Sequence, residues 1–350
     1  MFKWGSVQNS MSALVARKGN ILTIDSASTE LTHTGYLLRY HFKHLPPFMV
    51  WGRVIEGKQI LFNRWESCFY KYDFSKNITS EFIGSHESLL KKWEDVGVVP
   101  VILVVPMKSV FMSSFNPSPL RQVGVWQTDP DRSSPPIDHL EKNLRTFLSL
   151  APKRTIDLLG YYQTFPITSL SENLYLLSDS HWSSRGIAFA AKAIIDHLIQ
   201  RKAIHPSFRP EVIALNESIR DTPSISPPLR IPLSWVDTSH SLFSMEPLYG
   251  LRNRANKSYA GRVIILGTSF SSRLRKRQLS LGDLVAKALD APLVNITINA
   301  GGKNGALLSM LNRGFQLRPK DILVWEIPAS EVFVPLEHPE ASKTASQSPS

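Results

Sequence analysis

The sequence predicts a three-layer α/β/α sandwich with a mostly parallel sheet, preceded by a strand-rich N-terminal segment. From residue 85 onward, apolar strands alternate with amphipathic helices, which is the pattern of βαβ units. The run Val101–Val105 is apolar at every position, as a strand buried on both faces of a sheet requires. We therefore expect the helices to cover both faces of one sheet.

Residues 1–84 form the strand-rich segment. Its short runs are apolar or alternate between apolar and polar residues, which indicates strands joined by turns. The turn Glu56-Gly57-Lys58 separates the last two runs. The predicted strands lie at 20–24, 35–42, 49–55 and 60–62.

The predicted catalytic domain spans residues 85–335. Ser85 is expected to cap its first helix, and a helix from about Ser184 to Arg201 carries an apolar stripe at helical spacing. Residues 202–258 contain several prolines and little periodicity, so we expect an insertion there, and the polar tail 336–350 is expected to be disordered. The remaining predicted elements are helices at 137–150, 274–289 and 306–311 and strands at 155–159, 263–266, 293–298 and 321–327.

Composition bounds the possible partners. The chain of 350 residues has a net charge of +11 and is 43% hydrophobic, which is typical of a basic globular protein. This charge favours anionic partners such as an acidic polysaccharide, a membrane surface or nucleic acid. The basic residues are spread along the chain and no zinc-finger, Walker or dinucleotide motif occurs, so nucleic acid is not expected. One cysteine, Cys68, excludes a disulfide framework and a cysteine-rich metal site.

An acid and a histidine two residues apart, Asp179 and His181, are followed by Trp182 and a helix start. In an extended segment both side chains point to the same side, so the carboxylate can hold the imidazole in one tautomer. Serine is a weak nucleophile without an adjacent base, and Ser269 follows an apolar strand whose end such a base could meet. We therefore predict a Ser-His-Asp site. Asp179 as a helix cap, and Asp179 with His181 as metal ligands, are the alternatives; the second lacks further ligands with a clear spacing.

The oxyanion hole is expected from backbone N–H groups. Ser269 at a strand-to-helix turn would offer its own N–H and those of the next helical turn. The Gly301-Gly302 turn can bring further N–H groups close because it lacks side chains, and Asn304 offers a side-chain donor. Ser271 is a rival nucleophile.

Four basic residues crowd the segment after the nucleophile. We interpret them first as a solvated helix face and second as a basic rim that holds an acidic polysaccharide. They are Arg273, Arg275, Lys276 and Arg277.

The blocks Asp179-Ser180-His181-Trp182 and Gly267-Thr268-Ser269, in this order, resemble the SGNH hydrolase-like alginate O-acetyltransferase family of the AlgJ and AlgX type. The block Val104–Phe111, a strand that ends in a Pro and a Lys, and the closing segment Pro319–Pro328 also match. The resemblance covers about residues 85–335. In ordinary SGNH hydrolases the serine block comes first, whereas here it follows the Asp-x-His-Trp block, as in the family's permuted version of the fold.

The resemblance implies a ping-pong acetyl transfer. Ser269 would carry the acetyl group, His181 would act as base and Asp179 would orient it, with no metal or other cofactor. The acceptor would be a hydroxyl of an exopolysaccharide similar to alginate, and a membrane-bound O-acyltransferase would be the donor partner. The periplasm is the implied location, although no signal peptide or anchor is visible in this chain.

Two other functions stay open at this point. A carbohydrate acetylesterase would use the same three residues with water as acceptor. A non-catalytic component of a polysaccharide export complex would need none of them, and the intact set argues against it.

Overall fold

The computed structural model describes part of the chain, and the fold below is that of this part. The predicted strands at 20–24 and 35–42 and the polar tail beyond residue 336 lie outside it. The described residues are 50–55, 58–63, 80–106, 108, 144–149, 153–164, 174–176, 181–220, 245–253, 257–272, 279–299, 302–332 and 336.

The described elements begin with a hairpin and continue with a mixture of strands and helices. In chain order they are β1 (Val50–Ile55), β2 (Lys58–Asn63), α1 (Ser80–Asp95), β3 (Val99–Val105), β4 (Thr155–Asp157), α2 (Leu158–Gln163), α3 (Ser184–Gln200), β5 (Glu211–Arg220), β6 (Met245–Arg252), β7 (Val263–Gly267), α4 (Leu281–Leu289), β8 (Leu293–Thr297), α5 (Gly302–Asn312) and β9 (Ile322–Pro328).

Five strands form one parallel sheet in the order β4-β3-β9-β7-β8. Every residue of β7 and β9 is buried, as their apolar sequences predict for central strands. Because the strands are parallel, their carboxyl ends lie at one edge of the sheet. The segments that follow these ends therefore meet at this edge.

Helices cover both faces of the sheet. Helices α1 and α5 cover the face on which the Trp325 side chain lies. The Trp325 ring contacts rings of α1, and its indole N–H donates to the Lys303 carbonyl of α5 at 3.2 Å. Helices α3 and α4 pack against each other on the other face. This arrangement confirms the predicted α/β/α sandwich. No helix in the described part of the chain is long and apolar enough to span a membrane.

Two predicted boundaries are wrong. Helix α1 begins at Ser80, so Ser85 lies inside it, and the neighbouring His86 is buried and stacks on Trp325 with 5.8 Å between ring centroids. The predicted strand 155–159 ends at Asp157, whose carboxylate accepts the Gly160 N–H at 2.8 Å and so starts α2.

The segment 202–258 contains the antiparallel pair β5–β6, whose register shifts between Ala214 and Ser218, which obscures the alternation expected of strands. That this segment is an insertion stays a prediction. Two predicted helix boundaries also need correction. The predicted helix 274–289 does not run through Ser280, which caps α4 with a reciprocal Ser280–Asp283 pair. The last helix begins at Gly302 rather than Ala306.

Candidate active site

His181 and Ser269 meet at the carboxyl edge of the parallel sheet. The His181 Nε2 atom lies 2.8 Å from the Ser269 hydroxyl oxygen, within hydrogen-bond reach. Ser269 follows the end of β7 by two residues, and both side chains are partly exposed. A histidine in this geometry can take the serine proton when the hydroxyl attacks a carbonyl carbon.

His181 is held by a short antiparallel pairing just before α3. The Leu176 N–H donates to the His181 carbonyl and the Ser183 N–H donates to the Leu174 carbonyl, each at 2.9 Å. Between these bonds Tyr175 and Trp182 form a bridge, and both side chains are buried. The Tyr175 hydroxyl donates to the Pro106 carbonyl just past the end of β3. These contacts fix the histidine backbone to the sheet edge.

Trp182 connects the histidine segment to the nucleophile turn. Its indole N–H donates to the Phe270 carbonyl at 2.5 Å, and its ring meets the Phe270 ring edge-on at 5.8 Å between centroids. The Phe270 ring also lies 4.8 Å from the His181 ring. The tryptophan of the Asp-x-His-Trp block thus aligns the base with the turn that carries the serine.

The serine lies in a turn rather than at a helix start. The Ser271 N–H donates to the Thr268 carbonyl at 3.2 Å, and residues 269–272 are not helical. Residues 269–272 therefore do not form the helical turn whose N–H groups we expected to contribute to the oxyanion hole. Within the described residues no acceptor takes the Ser269 N–H, so this donor can point at a developing oxyanion.

The rival nucleophile, Ser271, is fully buried, so a substrate cannot reach its hydroxyl. Its hydroxyl lies beside the Glu326 carboxyl and lowers the pKa of that carboxyl, although the two groups make no hydrogen bond of good geometry. Burial has the larger effect and raises the pKa of Glu326 to about 7, against the hydrogen bonds from Thr268 that lower it.

The predicted glycine-rich oxyanion segment is only partly described, and Gly301 lies outside the described residues. Gly302 and Asn304 belong to the first turn of α5, after β8 at the same sheet edge. The Lys303 N–H donates to the Glu331 carboxylate, so this donor at the helix start already has an acceptor within the chain.

Gly302 has a φ of 60°, and a Cβ there would lie 2.6 Å from the Glu331 carboxylate, so only glycine fits. Burial lowers the pKa of the Lys303 amine to about 7, against the charge of Glu331, which raises it. The buried amine and the half-buried carboxylate form part of the sheet edge that the sequence did not predict.

Asp179, the predicted orienting acid, lies outside the described residues, and so do Arg273, Arg275, Lys276 and Arg277. Their roles stay predictions. Within the described ranges, no three His, Cys, Asp or Glu side chains lie close enough together to hold a metal ion.

Sequence reasoning missed Glu326, which contacts the residue before the nucleophile. A signal was present: a charged residue stands inside the apolar strand Val324–Ile327, where each position is buried. Charged residues are almost never fully buried unless they are paired or hydrogen-bonded, so such a residue predicts a specific partner.

Comparison with solved structures identifies the fold. The O-acetyltransferase domain of Pseudomonas putida AlgJ superposes with a TM-score of 0.55 over 87% of this chain and 100% of that domain, at 16% identity. Pseudomonas aeruginosa AlgX superposes with a TM-score of 0.52 over 81% of this chain and 62% of AlgX, at 15% identity. The chain has the AlgJ and AlgX fold. No protein-family model and no curated protein sequence matches it.

Proposed function

We propose that this protein is an O-acetyltransferase that moves an acetyl group to a sugar hydroxyl through an acetyl-Ser269 intermediate. The observation that carries the proposal is the 2.8 Å approach of His181 Nε2 to the Ser269 hydroxyl. The AlgJ fold supports it, because the solved AlgJ domain is described as an O-acetyltransferase.

The chemistry proceeds in two half-reactions. The Ser269 oxygen attacks the acetyl carbonyl of an ester donor while His181 takes the hydroxyl proton, and the leaving alcohol then receives that proton. In the second half, a sugar hydroxyl attacks the acetyl-serine. His181 takes the proton of that hydroxyl and returns it to the Ser269 oxygen. Asp179 is proposed to hold the imidazole in the tautomer that this exchange needs.

The acceptor and donor follow from the family resemblance. We propose an alginate-like exopolysaccharide as acceptor and a membrane-bound O-acyltransferase as the partner that supplies acetyl groups, with the reaction in the periplasm. The net charge of +11 supports an anionic acceptor.

The direct test measures acetate release from 4-nitrophenyl acetate, with and without mannuronate oligosaccharides. We expect Ser269→Ala to lower the rate by at least about 10³-fold, because the nucleophile is lost. Mass spectrometry of the intact wild-type protein after a rapid quench should show one acetyl group on Ser269. Acetate release that survives Ser269→Ala would refute the nucleophile assignment.

The chain offers a matched control pair away from this site. His205 Nδ1 lies 2.7 Å from the Ser207 hydroxyl on the exposed turn after α3. This pair has nearly the same histidine–serine distance as His181 and Ser269 but lies outside the candidate site. We expect Ser207→Ala to leave the rate unchanged. Acetylated oligosaccharide in the product favours the transferase, whereas free acetate at an unchanged rate with acceptor present favours an acetylesterase.

A further inference from the structure

Glu326 is a carboxylate buried inside the central strand β9, with 1% of its surface exposed. All other positions of β9 are apolar. A buried carboxylate destabilises a protein unless hydrogen bonds compensate for its lost hydration. The partners of Glu326 therefore indicate what the chain gains from this residue.

Both carboxylate oxygens accept hydrogen bonds from the residue before the proposed nucleophile. The Thr268 N–H donates to Oε2 at 2.7 Å, and the Thr268 hydroxyl donates to Oε1 at 3.0 Å. The same hydroxyl oxygen accepts the Phe270 N–H at 3.3 Å. The carboxylate thus fixes the Gly267–Thr268 peptide directly and the Ser269–Phe270 peptide through the threonine hydroxyl.

The close approach of strand and turn depends on Gly267. A Cβ at this position would lie 2.8 Å from Glu326 Oε2 and 2.7 Å from the Ser271 Cβ. Any side chain would separate β9 from the nucleophile turn. The Gly-Thr-Ser sequence therefore provides the space, the two donors and the nucleophile in successive residues.

Trp182 fixes the same turn from the opposite side. Its indole N–H donates to the Phe270 carbonyl at 2.5 Å, so the Phe270 backbone is held at both its N–H and its carbonyl. With Thr268 and Phe270 both fixed, the backbone of Ser269 has little freedom. Its hydroxyl stays 2.8 Å from His181, and its N–H keeps one direction.

We propose that Glu326 is a positioning residue for the acyl-transfer reaction, which orients the Ser269 hydroxyl and N–H by binding both donors of Thr268. This inference rests on the proposed function of Ser269. Its ionised form fits the role best, because a carboxylate accepts hydrogen bonds with both oxygens, whereas one oxygen of a carboxylic acid carries a proton and an amide has an NH2 donor in place of one oxygen. The neighbouring charged groups are Glu331 and, paired with it, Lys303.

Asp321 provides a matched control at the other end of the same strand. It is also 1% exposed, accepts the Arg318 N–H at 2.8 Å and pairs with Arg262 at 2.5 Å. It lies just before β9, away from the carboxyl edge. Asp321→Asn and Glu326→Gln therefore both replace a buried carboxylate by an amide, one just before β9 and one within it, and only Glu326 contacts the nucleophile turn.

The experiment measures the acetylation burst with 4-nitrophenyl acetate and the rate at which phenylmethylsulfonyl fluoride labels Ser269. Both rates are divided by the concentration of folded protein, which denaturant unfolding determines. We expect Glu326→Gln to lower kcat and the labelling rate about tenfold with KM unchanged, and Glu326→Ala to lower them about 10²-fold, because the nucleophile loses its alignment. We expect Asp321→Asn to lower stability and leave both rates unchanged. Thr268→Val, which keeps the N–H donor, should fall between wild type and Glu326→Gln.

The outcomes separate this inference from the proposed function. If wild type reacts, Ser269→Ala does not, and folded Glu326→Gln reacts at the wild-type rate, the positioning role is refuted and the function stands. An unreactive wild type refutes both. If Asp321→Asn slows the reaction as much as Glu326→Gln, the effect is a general one of a buried carboxylate and the positioning role is also refuted. If Glu326→Ala does not fold, Glu326→Gln and Thr268→Val decide.

Discussion

Gly186, in the first turn of α3, determines how closely the helix approaches the pairing that holds His181. A Cβ at this position would lie 3.0 Å from both the Leu174 carbonyl carbon and the Trp182 Cβ and would overlap the Leu174 oxygen. That oxygen accepts the Ser183 N–H, which is one of the two bonds that fix the histidine segment. Gly186→Ala must therefore displace either the helix or the pairing.

The size of the effect follows from three contributions. Overpacking costs about 1–3 kcal/mol and a lost hydrogen bond about 1 kcal/mol, whereas alanine gains up to about 1 kcal/mol over glycine in a helix. We expect a net destabilisation of about 1–3 kcal/mol by denaturant unfolding. A shift of His181 by about 1 Å lowers the acetyl-transfer rate about 10²-fold.

Gly84 in α1 is the matched control for Gly186. It lies on an exposed helix face, and a Cβ there meets no atom within 4 Å. Gly84→Ala should raise stability by up to about 1 kcal/mol and leave the rate of 4-nitrophenyl acetate turnover unchanged. If Gly186→Ala is as stable and as active as wild type, the close approach does not position His181 and this reasoning fails.

Two further substitutions test the surroundings of the site and the core. Trp182→Phe keeps the ring but removes the donor to the Phe270 carbonyl, so we expect about 1 kcal/mol lower stability and about tenfold lower kcat; turnover at the wild-type rate would contradict the proposed alignment. Burial lowers the pKa of His197 to about 4, so the unfolded chain binds a proton at a pH where the folded chain does not. Stability should therefore decrease as the pH falls from about 6.5 to about 4, and His197→Gln should flatten this dependence in unfolding experiments at several pH values; equal slopes in the two proteins would refute it.

The sheet was the most predictable part of the fold. The strands Val99–Val105, Val263–Gly267 and Ile322–Pro328 are almost wholly apolar, and burial on two faces allows little else in a parallel sheet. The C-terminal end of the helix Ser184–Gln200 was predicted within one residue, because its N-cap and its apolar stripe both indicate the same helix. Where local signals and tertiary packing agree, the sequence alone predicts the element.

The elements that were missed depend on contacts between distant residues. His86 lies inside α1 and stacks on Trp325, and neither residue indicates the other in the sequence. The strands β5 and β6 pair around an irregularity that breaks the alternation by which strands are identified. Local periodicity cannot predict either feature, since the partner residues lie outside any short window.

For the candidate site, the sequence by itself determined the chemical groups and their order: a histidine followed by tryptophan, and a serine at the end of an apolar strand. Only the tertiary structure decided that His181 and Ser269 lie 2.8 Å apart, that Ser271 is buried, and that Glu326 binds both donors of Thr268. The physical reason is the parallel sheet, which brings residues separated by 58 to 88 positions to one edge, where their hydrogen bonds form only after the strands have paired.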